Sequence, residues 1–207
     1  VTFIGILSEL VPSGILPQMT QGLGIEDTQV GFLVGIYALA SAIFAIPLIS
    51  MTLAVNRKTL LLILLAGFAL SNIVVGMSSS YYLIVAMRIL GGICAGIMWP
   101  MIGAYGAALV TEELQGRAIT IIMAGNTFGV SLGLPFMTYI GTHLGWRTEF
   151  ILLGALGALI ALVAAKFLPS VPGEKLTQSN SPIAMLKIPQ VWIVLVLTFL
   201  SVVAHYS

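Results

Sequence analysis

The sequence predicts an all-α integral membrane protein: a six-helix bundle followed by the start of a seventh helix. Of its 207 residues, 59% are hydrophobic and only 7% are charged, whereas soluble domains carry about 25% charged residues. The mean hydropathy is +1.11. Uncharged segments recur at roughly the 20 residues that a helix needs to cross a bilayer core. These observations exclude soluble enzymes and disordered chains, and a net charge of +1 offers no basic face for nucleic acid.

The spans are bounded by charged or polar residues. Spans two, three and five carry no charge, whereas span one contains Glu9 and span four contains Arg88. None of them shows the alternation of apolar and polar residues that barrel strands require. Residues 1–168 are predicted to form the bundle and 169–189, rich in polar residues, proline and lysine, an aqueous linker. Residues 190–207 begin the seventh span. We expect the chain to be a fragment, because apolar runs stand at both of its ends. The predicted spans are 1–20, 28–56, 59–77, 81–111, 118–146, 150–168 and 190–207.

The basic residues sort to one side of the predicted membrane. The loops after spans one, three and five hold only Arg147. An excess of Lys and Arg marks cytoplasmic loops, so the N-terminus and the linker are predicted to be cytoplasmic in a multi-pass protein. A signal peptide is not indicated, because nothing basic precedes the first apolar run. The loops after spans two, four and six hold six basic residues: Arg57, Lys58, Arg117, Lys166, Lys175 and Lys187.

Two charges lie at membrane depth, where charged side chains are costly and usually functional. Glu9 precedes Pro17 by about 12 Å of helix, and Arg88 follows Tyr81 by about 10 Å. Both should therefore lie at similar depth in the outer half of the bilayer, and they can interact if spans one and four face a common cavity. Glu9 could instead reach water near a helix end, and Arg88 could clamp backbone carbonyls as well as serve transport.

Glycines recur at helical spacing in two spans. Gly92 and Gly96 lie on span four, and span five carries a longer ridge that ends before a proline. Small residues let helix backbones approach closely in lipid, so we expect these glycines to serve helix–helix packing. The functional alternative is that they let their spans bend during gating. The span-five residues are Gly125, Gly129, Gly133 and Pro135.

Uncharged polar residues inside the spans are few. Asn72 and Asn126 are expected to form helix–helix hydrogen bonds, with substrate contact as the alternative. His143 and His205 are expected to be interfacial or packing residues. No catalytic constellation, metal cluster or phosphate-binding loop is visible, so we predict neither a cofactor nor an enzyme. Residues 14–19 and 96–101, in spans of opposite direction, share a faint likeness that an inverted three-plus-three repeat would produce.

Four segments together resemble one family. Residues 9–17 resemble the first-span signature of bacterial sugar and nucleoside efflux transporters, and 83–96, with Arg88, is similar to the fourth-span motif of the major facilitator superfamily. Residues 125–135 resemble the fifth-span antiporter motif, and 145–150 resemble the connector into span six. The whole chain is thus similar to the N-terminal half of a transporter in the twelve-span drug–proton antiporter branch.

The resemblance implies export of a small drug, sugar or nucleoside-like molecule in exchange for protons across a bacterial inner membrane. Glu9 would carry the proton with Arg88 as its partner, and the C-terminal half would complete the cavity. The loop at 47–59 retains Arg57 and Lys58 but lacks the family's acid, and Thr138 replaces a common glycine. A uniporter, a non-transporting half-length module and, least favoured, a membrane enzyme are the alternatives.

Overall fold

The computed structural model describes residues 1–173, 191–193 and 196–197. Residues 1–173 form helices joined by short turns, which confirms the all-α class. A 3₁₀ turn at Glu112–Leu114 precedes α6, and a π-helical turn at Gly129–Gly133 joins α6 to α7. The α-helices are α1 (Thr2–Gly14), α2 (Leu16–Leu23), α3 (Asp27–Thr52), α4 (Arg57–Met77), α5 (Tyr81–Ala108), α6 (Gln115–Phe128), α7 (Leu134–Leu144) and α8 (Trp146–Phe167).

Spans two to six are present as long apolar helices. Within the described residues, five stretches are long and apolar enough to cross a membrane. They correspond to α3, α4, α5, the continuous α6–α7 unit and α8. Their exposed faces carry large apolar side chains such as Phe32, Ile43 and Leu162, as expected for a surface in contact with lipid.

The first predicted span is a broken helix. It forms α1 and α2, which are interrupted at Ile15 (φ −125°, ψ 24°). Pro17 lies in the first turn of α2 and has no N–H, so the Ser13 carbonyl lacks the donor that a continuous helix would provide four residues later. The sequence placed a proline near this end of the span but did not predict two separate helices.

The sixth span begins one turn earlier than the sequence suggested. Gly145 adopts φ 92° and reverses the chain directly after α7, a backbone conformation that favours glycine. The helix then starts at Trp146 rather than at residue 150. Arg147 and Glu149, which the sequence placed in a connector, therefore belong to the membrane helix.

The helices pack around two apolar clusters. One joins α1, α4, α5 and α8 near the loops that carry most of the basic residues, through Leu65, Phe68 and Met98. We call this the basic end of the bundle, and it contains the α3–α4 and α5–α6 loops. The second cluster joins α1, α2, α3 and α8 at the opposite end, through Ile15 and Phe150. α1 thus runs through the centre and contacts α3, α6, α7 and α8.

Residues 169–173 follow α8 without helical structure and attach to the basic end. Asn56 Nδ2 donates to Ser170 Oγ (2.7 Å), the Arg57 N–H donates to the Val171 carbonyl (2.9 Å), and the Tyr105 hydroxyl donates to the Pro169 carbonyl (2.6 Å). The rest of the predicted linker lies outside the described residues, as do Lys175, Lys187 and His205. Residues 191–193 and 196–197 of the predicted seventh span are helical.

Candidate functional site

Arg88 is buried at the centre of the bundle. It lies on α5, and 2% of it is exposed. Its Nη1 donates to the Ser8 carbonyl of α1 (2.8 Å), and its Nε donates to the Leu33 carbonyl of α3 (3.2 Å). The guanidinium carbon lies 4.1 Å from the centre of the Tyr37 ring, a cation–π contact. Arg88 therefore joins α1, α3 and α5, which matches the carbonyl clamp considered from the sequence.

Glu9 lies on α1 directly after the residue that binds Arg88. Its side chain is half-buried. The Nη2 atom of Arg88 is buried without a hydrogen-bond partner. In the part of the chain that the structure describes, no ion pair within 4.0 Å joins Glu9 to Arg88. Glu9 is thus adjacent in the chain to a residue that binds Arg88, whose Nη2 donor is unused, but the two side chains form no ion pair.

Asn72 belongs to the same buried network through Ser8. The Ser8 hydroxyl donates to Asn72 Oδ1 (2.9 Å), and Asn72 Nδ2 donates to the Phe68 carbonyl of its own helix (2.9 Å). Only 1% of Ser8 and 2% of Asn72 is exposed. Asn72 therefore links α4 to α1, the helix–helix role expected for it. Sequence reasoning missed Ser8, because a serine in an apolar span carries no signal of its own.

The span-four glycines place α5 against α3. A Cβ at Gly92 would collide with the Tyr37 carbonyl oxygen, and one at Gly96 would lie 2.6 Å from the Ser41 carbonyl oxygen. Both neighbours are backbone atoms, which cannot move aside as a flexible side chain can. This close approach holds Tyr37 beside Arg88.

The span-five glycines place α6 and α7 against α1. A Cβ at Gly125 would collide with Thr2 Oγ1. A Cβ at Gly129 would lie 2.5 Å from Ile6 Cγ2, and one at Gly133 would lie 2.9 Å from the Phe3 ring. Between them the helix widens: the Leu134 N–H donates to the Gly129 carbonyl, five residues earlier. Such π-helical turns are rare and often lie at functional sites. Pro135 follows in the first turn of α7, where its missing N–H is tolerated.

The remaining predicted residues lie apart from Arg88. Asn126, on α6, has a buried Oδ1 without a hydrogen-bond partner. Arg57 and Lys58 begin α4 at the basic end, where the Asn56 side chain caps the helix by accepting from the Lys58 and Thr59 N–H groups. Arg57 also borders a cavity of about 220 Å³ between α3, α4 and α5.

His143 is exposed at the end of α7 and stacks on Tyr139, with ring centres 4.1 Å apart. Its expected position at the membrane interface stays a prediction. Among the described residues, no group of three or more His, Cys, Asp or Glu side chains could hold a metal ion.

Glu149 is a buried acid that sequence reasoning missed. None of its surface is exposed, and neither carboxylate oxygen has a hydrogen-bond partner. It was overlooked because the sixth span was started at residue 150, which left Glu149 in an aqueous connector. The signal that could have found it is the glycine at 145, which allows the helix to begin at Trp146.

A bundle of membrane-length apolar helices packed around a buried arginine defines a polytopic membrane protein. The sequence model of the Major Facilitator Superfamily matches residues 1–207, and the chain belongs to that family. The resemblance seen in the sequence is thereby confirmed. The family points to a transporter rather than to an enzyme.

A solved structure supports the fold. The chain is similar to the MFS proton:xylose symporter XylE bound to 6-bromo-6-deoxy-D-glucose, with a TM-score of 0.69 and 18% sequence identity. The match covers 89% of this chain and 44% of the XylE chain. The chain therefore spans less than half the length of that transporter, as an N-terminal half would.

Proposed function

We propose that the protein is a secondary active transporter that exports a small organic molecule in exchange for protons by alternating access. The observation that carries this proposal is the placement of Glu9 beside the Ser8–Arg88 contact. A half-buried carboxylate on a central, broken helix lies next to a fixed, fully buried positive charge. The cargo belongs to the class that the sequence resemblance indicates, a drug, sugar or nucleoside-like molecule.

The contacts of Arg88 suit proton exchange at Glu9. Arginine stays charged in proteins, and two carbonyls and an aromatic ring hold it whether or not Glu9 is ionised. Burial favours the neutral form of Glu9, and the nearby guanidinium favours the ionised form. A modest change in the access of water to α1 would therefore shift the balance, as each half-cycle of alternating access requires.

The α6–α7 unit is the element that we propose moves during gating. Its glycines allow close contact with α1. Its π-helical turn at Gly129–Gly133 interrupts the regular hydrogen bonding of the α-helix. A helix interrupted at this point bends more readily than a regular one. Such bending would change the exposure of the neighbouring α1, which carries Glu9.

We further propose that the protein lies in the inner membrane of a bacterium with its basic end in the cytoplasm. The charge bias of the loops supports this orientation. The partners of this half are lipid, protons, the cargo and a C-terminal half that completes the cavity. No nucleic-acid partner is proposed.

Transport by the full-length protein in proteoliposomes tests this function. The vesicles carry a pH gradient of either sign and receive a panel of labelled sugars, nucleosides and cationic drugs. A proton antiporter accumulates its cargo when the lumen is acidic, because protons leave as the cargo enters. Accumulation driven by an acidic exterior would indicate symport, the mode of the similar proton:xylose symporter XylE, and gradient-independent equilibration would indicate a uniporter.

A further inference from the structure

Glu149 lies in a small closed site at the end of the bundle opposite the basic end. It occupies the first turn of α8 with no exposed surface, and both of its carboxylate oxygens are buried without a donor. Most buried polar groups in proteins have hydrogen-bond partners, so such an acid calls for an explanation.

Two other elements close this site. A Cβ at Gly141 on α7 would collide with Glu149 Oε2 and would lie 2.6 Å from Ile15 Cγ2. The carboxyl group therefore lies between α8, α7 and the point where α1 breaks into α2. Because any side chain at position 141 would occupy the space of the carboxyl group, Gly141 makes the room that Glu149 uses.

No charged group of the surrounding helices compensates an ionised Glu149. Arg147, two residues earlier, donates to the Ser78 carbonyl and Ser79 Oγ (both 3.1 Å) and stacks over Trp146. The α2 helix carries no charged residue. On α7, Tyr139 and His143 are exposed. Glu9 on α1, and the exposed Glu26 and Asp27 between α2 and α3, are acids and offer no positive charge. Arg57 and Lys58 lie at the opposite end of α4, and Lys166 lies at the opposite end of α8.

We propose that Glu149 is a second proton-binding residue of this half and that it carries its proton in the conformation described. An ionised carboxylate with neither a hydrogen-bond donor nor a cation is strongly disfavoured away from water. The neutral carboxyl group is also unpaired, but burying it costs far less than burying the charged carboxylate.

Release of this proton requires movement of the helices. The proton passes to water only when water reaches the carboxyl group, which requires separation of α8 from α7 or from the α1–α2 break. Deprotonation of Glu149 is therefore linked to opening at this end of the bundle. That link acts in transport only if the proposed function holds, whereas the protonation of Glu149 is independent of it.

Infrared spectroscopy of the full-length protein in lipid vesicles tests the protonation. At neutral pH the wild type and Glu9→Gln should both show the C=O stretch of a protonated carboxyl group, and Glu149→Gln should lack that contribution. A spectrum unchanged by Glu149→Gln, or a wild type without a protonated carboxyl band, would overturn the proposal. The wild-type measurement stands even if a variant fails to fold, and neither result depends on transport.

Hydrogen–deuterium exchange as a function of pH tests the opening. After correction for the intrinsic rise of amide exchange with pH, raising the pH should lower the protection of residues 134–150 of the wild type in a single step. Glu149→Gln and Glu149→Leu, which cannot ionise, should remove the step while leaving slow exchange at low pH. A step that persists in either variant, or its absence from the wild type, would contradict the link.

Discussion

Arg88 is held by groups that require the shape of a guanidinium. Its Nε and Nη1 atoms reach carbonyls on two different helices while its plane rests on Tyr37. Lysine offers a compact ammonium and cannot make the same set of contacts. The burial of Arg88 was predictable from its place in an apolar span, but the identity of its acceptors depended on the packing of three helices.

We expect Arg88→Lys to impair both stability and transport. Loss of a hydrogen bond made by a charged group costs about 1.5–3 kcal/mol, so the thermal unfolding midpoint in detergent should fall. The matched control is Arg117→Lys, at an exposed arginine near the start of α6, which should leave the midpoint unchanged. Equal midpoints for Arg88→Lys and the wild type would show that the clamp contributes nothing.

Ser8 supplies the connection between Asn72 and Arg88. We expect Ser8→Ala to leave Asn72 Oδ1 buried without its donor and to lower the free energy of unfolding by about 1–2 kcal/mol. The control is Ser131→Ala, because the exposed Ser131 hydroxyl binds only the Thr127 carbonyl of its own helical segment. Denaturation in mixed micelles compares the two, and similar losses in both variants would refute the role of the network.

The two buried acids show the limit of residue-level prediction. Glu9 was found because it interrupts an apolar run, and it follows Ser8, whose carbonyl accepts from Arg88. Its pairing with Arg88 stays a prediction. Glu149 was missed because a one-turn error in the start of α8 moved it from the membrane into a loop. Ends of helices depend on local backbone conformations, such as that of Gly145, which composition does not reveal.

At the scale of elements, α5 depends on glycine where it crosses the backbone of α3. We expect Gly92→Ala to destabilise the bundle by about 1–3 kcal/mol, because the added Cβ would collide with the Tyr37 carbonyl oxygen. Gly103 lies on the same helix with nothing within 4 Å of an added Cβ. Gly103→Ala should be neutral or stabilise by up to about 1 kcal/mol.

Thermal unfolding of these two variants in the same detergent provides the comparison. Equal effects would contradict the packing role, since helix propensity alone would then account for both. The glycine spacing itself was visible in the sequence. The sequence did not show which glycines face a neighbouring backbone and which face open space, because that depends on the rotation of each helix in the bundle.

The interrupted helices were predicted only in part. A proline lacks an N–H and so favours an interruption of the helix. The complete break at Ile15 and the π-helical turn at Gly129–Gly133, however, depend on how neighbouring helices accommodate the disrupted hydrogen bonds. Both interruptions lie beside functional candidates: the first borders Glu149, and the second packs against α1. The elements that were hardest to predict are thus those on which the proposed movements depend.

At the scale of the whole molecule, the class was predictable from charge scarcity and the spacing of apolar segments. Lipid requires that each span satisfy its own backbone hydrogen bonds, so apolar segments of this length become helices with little ambiguity. The arrangement of the helices was harder to predict from the sequence, because side chains can pack in many ways in a medium without a hydrophobic driving force. The family resemblance supplied that arrangement.

The proposed orientation can be measured with engineered cysteines. Cys94 is the single cysteine of the sequence and is buried, so its background labelling should be low. A membrane-impermeant maleimide applied to intact cells should label Ser80→Cys, at the exposed start of α5, and should not label Glu113→Cys at the basic end. The reverse pattern would invert the topology.

The central claim is that Glu9 exchanges protons for cargo, and it is tested most directly by Glu9→Gln in proteoliposomes. The variant should retain counterflow, in which labelled cargo exchanges with unlabelled cargo without net proton movement. It should lose the accumulation that an acidic lumen drives in the wild type, because the amide cannot carry a proton. Accumulation by Glu9→Gln at the wild-type rate and with the wild-type pH dependence would contradict the claim.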